Sequence, residues 1–195
     1  MREFETRAAG LGFSVVAGID EAGRGPLAGP VVSAAVVLPP DYANPLIDDS
    51  KKLTPGKRAL LYEQIYQDAV TIGIGIVDAV EIDRINILQA TRLSMAMAVG
   101  NLRPQPDYLL IDGNTGIALP LRQEPIVGGD GRSISIAAAS IIAKVTRDRM
   151  MERYSLDYPE FGFATHKGYP TRAHREAVMK YGRTPIHRRS FTVKV

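Results

Sequence analysis

The chain contains no cysteine, which excludes a disulfide framework, thiolate catalysis and a cysteine-held zinc site. A structural zinc would have to rely on the three histidines and on carboxylates. No apolar run approaches the roughly 20 residues that a membrane-spanning helix needs. Met1 to Gly12 carries Glu3 and Glu5 beside Arg2 and Arg7 without an apolar stretch, so a secretory signal is not expected there. A G-x-S-x-G nucleophile elbow and a G-x-x-x-x-G-K-[ST] phosphate loop are also missing, which argues against acyl-transfer and nucleotide-cradling chemistry. No repeat, low-complexity tract or linker breaks the 195 residues, 45% of them hydrophobic. The expectation is one compact domain, a monomer in a reducing cytoplasm.

What charge there is lies unevenly. The net charge is +3, yet His166 to Val195 holds Lys167, Arg172, Arg175, Lys180, Arg183, Arg188, Arg189 and Lys194 against a single acid, Glu176. The residues before this segment are therefore net acidic. Such a segment is either a contact for a polyanion beside a carboxylate-rich site or a solvated basic helix.

Apolar runs at Phe13–Ile19 and Val31–Leu38 predict two strands. Their short connection, DEAGRGPLAGP, has no room for a helical crossover and makes them antiparallel. Thr54 followed by Pro55 reads as an N-cap and first helical residue, opening a helix through Leu60, Leu61, Ile65 and Tyr66. Val70–Val77 alternates Ile with Gly, a strand with something packed close on one face. Ile85, Leu88, Leu93 and Met97 are spaced for one helix over Ile82–Val99. Strands follow at Tyr108–Ile111 and Glu124–Val127, then helices over Ile134–Tyr154 and from Thr171 to about Tyr181. The order β-β-α-β-α-β-β-α-α gives an α/β fold, a mixed β-sheet flanked by helices. The boundaries expected are a core over about 1–155 and a basic helical extension over about 156–195.

Three apolar runs end in acids: GID20 with Glu21, LLID112 and IVGGD130. Burying a charge is costly unless a cation compensates. If those strands lie side by side, their ends bring Asp20, Glu21, Asp112 and Asp130 together, a cluster that a divalent metal would relieve. Oxygen-only donors favour Mg²⁺ or Mn²⁺. Adjacent strand residues face opposite ways, so Asp20 and Glu21 share a site only where strand gives way to turn. Two ions about 4 Å apart activate a water and stabilise the leaving oxygen of a phosphodiester without a nucleophilic side chain. The plainer alternative makes Asp112 and Asp130 turn residues next to glycine.

The stretch DEAGRGPLAGPV resembles the signature of the ribonuclease HII family. The resemblance continues, in the family's order, through DDSKKLTP, EIDRINILQAT, LLIDGN, AAASIIAKVTRD, HKGYPT and HRRSF. It implies a ribonuclease H-like fold with a helical C-terminal extension, cutting the RNA strand of RNA/DNA hybrids and cutting 5′ to ribonucleotides in duplex DNA, with a 5′-phosphate left behind. It also implies Mn²⁺ or Mg²⁺ on Asp20, Glu21, Asp112 and Asp130, and a Gly23-Arg24-Gly25 turn that senses the ribose 2′-hydroxyl. Tyr169 would pack on the sugar beside the scissile junction. The chain ends soon after HRRSF, so a sliding-clamp partner is not expected. Ser50 and Lys51 either contact phosphate or are solvated, and Lys144 either points at the site or snorkels to water. His166 is a candidate for proton transfer or substrate placement, against simple exposure. Arg147 and Asp148 are expected in structural ion pairs. A junction resolvase of related fold and a non-catalytic nucleic-acid-binding module are the competing readings. The module has no use for four acids that repel phosphate.

Overall fold

The computed structural model describes residues 1–193, so Lys194 of the basic segment lies outside the described residues. Its strands are β1 (Val16–Ala22), β2 (Val31–Val37), β3 (Thr71–Val77), β4 (Tyr108–Asp112) and β5 (Arg122–Ile126). They form a mixed sheet in the order β3-β2-β1-β4-β5. β1, β2 and β3 pair antiparallel, while β4 pairs parallel with both β1 and β5.

The helices are α1 (Glu3–Gly10), α2 (Pro55–Asp68), α3 (Ala79–Ile85), α4 (Ile87–Gly100), α5 (Ile134–Asp157), α6 (Phe163–His166) and α7 (Arg172–Tyr181). Both faces of the sheet are covered. Ala34 and Val36 of β2 pack with Leu61 and Ile65 of α2 and the Ala137–Ala139 stretch of α5. Their neighbours Ala35 and Val37 pack with Met95, Ala98 and Val99 of α4. β2 is thus buried along its whole length, the alternation expected of a strand between two helical layers.

Close approach is paid for in glycine. A Cβ at Gly73 or Gly75 of β3 would lie 2.0 Å from the Ala98 carbonyl oxygen or 1.9 Å from that of Ser94, and one at Gly18 of β1 would lie 2.1 Å from the Ser135 carbonyl carbon. The expected close packing over β3 is therefore the seat of α4, and α5 crosses β1 at Gly18.

Two differences from the sequence reading have clear causes. The single helix expected over 82–99 is two. Asn86 sits at φ 68°, and its side chain accepts from the N–H groups of Leu88 and Gln89, so it starts α4 afresh. α4 buries Ala90, Thr91, Ser94, Met95, Ala98 and Val99, with the small Ser94 and Ala98 over the β3 glycines, while Leu88, Leu93 and Met97 are exposed. α1, unforeseen, docks through Glu5, whose Oε1 accepts from the Ser133 hydroxyl and the Ser135 N–H at the start of α5. Among the described residues no helix is long and apolar enough to cross a membrane.

Candidate active site

β1 and β4 run parallel in a register that pairs Ile19 with Ile111. One step further along both strands stand Asp20 and Asp112, at the carboxyl ends where open α/β sheets gather their sites. β5 ends at Ile126, and the short turn after it carries Asp130. The Gly129 N–H donates to Asp112 Oδ1 at 2.7 Å and ties that turn to β4. Asp20, Asp112 and Asp130 each present a carboxylate oxygen within 4.8 Å of the others. Asp20 and Asp130 are buried, 4% and 7% exposed.

Glu21 is not in that cluster. β1 continues through Ala22, so Glu21 is still in strand. It stands on the wall of the same cleft, where Arg24 donates to its Oε1 at 3.3 Å. The electrostatics fit a crowded, dry site. Burial, then the charges of Glu21 and Asp112, push Asp20 well above the usual carboxylate range. Burial and then Asp130 raise Asp112. Burial raises Glu21 although Arg24 opposes it. Converging carboxylate oxygens with few positive partners make a donor set that suits a hard divalent cation.

The cleft, about 250 Å³, is lined by Asp20, Glu21 and Asp112, by the Gly23-Arg24-Gly25 turn, and by Ser50, Lys51, Ser140, Lys144 and Tyr169. Lys51 Nζ donates to Asp130 Oδ2 at 3.0 Å. Arg58 holds the loop beneath it, donating to the carbonyls of Ser50 and Leu53. Lys144 lies on the cleft wall with its ammonium 2.8 Å from Asp148 Oδ1. Ser140 is a site residue that the sequence reading did not single out. Its hydroxyl bonds that of Ser50 at 2.7 Å, and its contact with Asp20 favours the charged form of that acid. A hydroxyl in an otherwise Ala/Ile-rich stretch of helix was the available signal.

His166 is not among the residues lining the cleft. Its Nδ1 accepts from the Gly168 N–H at 3.2 Å and its Nε2 bonds the Phe161 carbonyl at 2.7 Å. No ring nitrogen is left for proton exchange with substrate.

The glycine turn is gripped from behind. Arg147, 1% exposed, donates to the carbonyls of Pro30 (2.9 Å), Ala28 (3.1 Å) and Lys167 (2.9 Å). Arg188, also 1% exposed, donates to those of Gly23 (2.5 Å), Arg24 (2.9 Å) and Gly29 (3.0 Å). The expected ion pair of Arg147 is thus a set of carbonyl bonds, and only Asp148 is ion-paired. Arg188 likewise is a buried clamp rather than part of a basic outer face. Burial, with Arg147 nearby, lowers it to about 9, so it stays charged at neutral pH. Backbone bonds complete the join: Leu27 N–H to Gly168, Gly29 N–H to Ile186, and Arg188 N–H to Leu27. Residues of the C-terminal extension therefore build one side of the cleft.

A family model described as ribonuclease HII matches residues 17–194. The chain belongs to the ribonuclease HII family. Ribonuclease HII of Syntrophus aciditrophicus is 56% identical over 194 residues, covering 100% of this chain and 92% of that protein. Among solved structures, ribonuclease H2 from Pyrococcus horikoshii superposes with a TM-score of 0.77 at 31% identity, over 92% of this chain and 95% of that one. Ribonuclease HII of Archaeoglobus fulgidus, solved in complex with PCNA, gives 0.77 at 27% identity over 93% and 97%. The fold is the ribonuclease H-like one, and membership of the ribonuclease HII family makes the chain a metal-dependent nuclease of the hydrolase class.

Proposed function

We propose that this ribonuclease HII family member cuts the RNA strand of RNA/DNA hybrids and incises duplex DNA on the 5′ side of embedded ribonucleotides, leaving a 5′-phosphate. The observation that carries this reading is the meeting within 4.8 Å of Asp20 in β1, Asp112 at the end of β4 and Asp130 on the turn after β5, beside an open glycine turn and an exposed tyrosine. Asp20, Asp112 and Asp130 hold the metal, Mg²⁺ or Mn²⁺, with Glu21 joining from the cleft wall. Bound there, two such cations would supply activation of the attacking water and neutralisation of the leaving oxygen.

The protein's own groups do the rest. The backbone of Gly23-Arg24-Gly25 meets the ribose 2′-hydroxyl, the group by which RNA differs from DNA. Gly25 suits this because a Cβ there would be met only by Tyr169 Cε1, at 3.7 Å, so bare backbone faces the cleft. Tyr169, 44% exposed, packs its ring on the sugar. Ser50, Lys51 and Lys144 serve the phosphates, and His166 serves substrate placement indirectly by holding the Tyr169 loop. The exposed Arg172, Lys180, Arg183 and Arg189 of the extension extend the phosphate contacts along the duplex. In this reading residues 1–195 form one domain, a cytoplasmic monomer, with the extension completing the site.

The test is a gel assay of labelled duplex DNA bearing one ribonucleotide, with Mg²⁺, with Mn²⁺ and with chelator, alongside an all-DNA four-way junction. Metal-dependent incision 5′ to the ribonucleotide, and none of the junction, is expected. Asp112→Asn should abolish cutting while hybrid binding survives. Retained metal-dependent cleavage by that variant overturns the assignment.

A further inference from the structure

The chain's three histidines, His166, His174 and His187, gather behind the Tyr169 loop against Phe161 and Phe163. His174 and His187 are 0% and 3% exposed, and their bonding fixes where the protons sit. The Thr184 N–H can only donate, so His187 Nδ1, 2.9 Å away, accepts. A neutral His187 then carries its proton on Nε2, which faces His174 Nε2 at 3.0 Å and donates to it. His174 must carry its own proton on Nδ1 and donates to the Tyr169 carbonyl at 2.9 Å. The two rings hold opposite tautomers, in a chain that runs from Thr184 to the backbone of the cleft tyrosine.

The side chain of Tyr169 lines the cleft half in solvent, and backbone bonds hold the residue in place. The Tyr169 N–H donates to the His166 carbonyl at 2.9 Å, and its carbonyl takes a second bond from the Thr171 N–H at 2.8 Å. The surroundings keep the rings uncharged. Burial, then the charges of His174 and Arg183, bring His187 down to about 4. Burial and a bonded carbonyl act in opposite directions on His174, and burial, helped by His166, prevails. Arg183 and His166 are the titratable and charged groups facing the pair, and Phe161, Phe163 and Ala28 form the rest of the wall. A second proton between the facing Nε2 atoms would break their hydrogen bond.

We propose that His174 and His187 are positioning residues for Tyr169: their neutral, tautomer-locked chain fixes the tyrosine carbonyl and through it the ring that meets the sugar of a lone ribonucleotide. This rests on the reading of Tyr169 given under the proposed function.

Two measurements test it. With only three histidines in the chain, long-range ¹⁵N–¹H spectra of the unaltered protein give each tautomer. His187 should be protonated at Nε2 and His174 at Nδ1, with both titrating below the ordinary histidine value. An Nε2-protonated His174, or titration of either ring near 6.5, overturns the proposal.

The second measurement is incision of a single-ribonucleotide duplex by Tyr169→Ala, His187→Leu, His187→Gln and the Tyr169→Ala/His187→Leu double variant. Loss of the donor in His187→Leu should lower kcat/KM roughly tenfold, the order expected for a buried acceptor left unpaired. Glutamine, whose Nε2 can still donate to His174, should restore most of it. In the Tyr169→Ala background the leucine should add less than about twofold, because the pathway it breaks has lost its end point. An equal loss in both backgrounds marks a merely structural histidine and overturns the proposal. Unimpaired incision by Tyr169→Ala overturns the tyrosine reading and the positioning role together. Impaired Tyr169→Ala with unimpaired His187→Leu overturns the positioning role alone.

Discussion

Replacing Arg188 by lysine keeps a positive charge in the same buried place but removes the fork. Three carbonyls, those of Gly23, Arg24 and Gly29, now receive its N–H groups at 2.5 to 3.0 Å, and a single ammonium on a different stem cannot serve all three. At about 1 kcal/mol net for each bond lost, plus the cost of a less well satisfied buried cation, Arg188→Lys should destabilise the fold by roughly 2–4 kcal/mol. For a chain of this length that is a Tm lowered by roughly 5–15 °C, while the protein still folds, since native stabilities run at about 5–15 kcal/mol. The loss falls on the turn rather than on the acids. Calorimetry with and without Mg²⁺ should therefore show the variant still gaining stability from metal, while its cutting at an embedded ribonucleotide falls more than its binding of metal. Wild-type Tm together with wild-type cleavage of that substrate would refute the idea that this guanidinium holds the turn.

The two glycines of the turn should behave oppositely. Gly23 lies at φ +102° with a Cβ position 2.2 Å from Arg147 Nε, whereas at Gly25 a Cβ meets only Tyr169 Cε1 at 3.7 Å. Gly23→Ala should cost roughly 1–3 kcal/mol in urea unfolding, and Gly25→Ala should leave the urea midpoint unchanged yet impair ribonucleotide incision by narrowing the gap to the ring. Asp20, raised by burial and then by Glu21 and Asp112, makes the metal-free fold less stable as pH rises through its titration. Asp20→Asn should accordingly raise the Tm in chelator and weaken the gain from added Mg²⁺; a lowered Tm in chelator contradicts this. His187, held at about 4, works the other way. The unfolded chain takes up its proton near pH 6.5 and the folded one does not, so stability is full above 6.5 and falls as pH drops towards 4, by an amount on the order of 1–3 kcal/mol. His187→Leu should flatten that slope in urea titrations between pH 7 and pH 4.5.

Much of the architecture was legible because local chemistry agreed with the fold. Thr54-Pro55 starts α2 and Thr171 starts α7 where capping rules place them, each threonine accepting from the N–H three residues on. The Ile/Gly alternation of β3 announced the close helix above it. α4 was harder, since Leu88, Leu93 and Met97 follow helical spacing on the exposed side, while over Gly73 and Gly75 the backbones come so near that the small Ser94 and Ala98 face the sheet there. α1 offered little apolar signal, and a carboxylate reaching residues over a hundred positions away leaves no local trace. The strand-end acids were visible as acids, and their convergence needed the parallel β1–β4–β5 register. What sequence spacing cannot carry is where Arg147 and Arg188 point. A basic residue in a basic segment reads as a surface charge until its carbonyl partners, in Arg188's case more than a hundred and fifty residues earlier, are seen.

That separation bears on how the molecule comes into being. The cleft carboxylates are all synthesised by residue 130, yet the guanidinium that grips the turn beside them comes only at residue 188. A growing chain thus carries these acids for a long interval before the side chain that holds the Gly23–Gly25 turn exists. Synthesis order by itself leaves one wall of the cleft unbuilt until the residues around Arg188 emerge and close over the connection between β1 and β2.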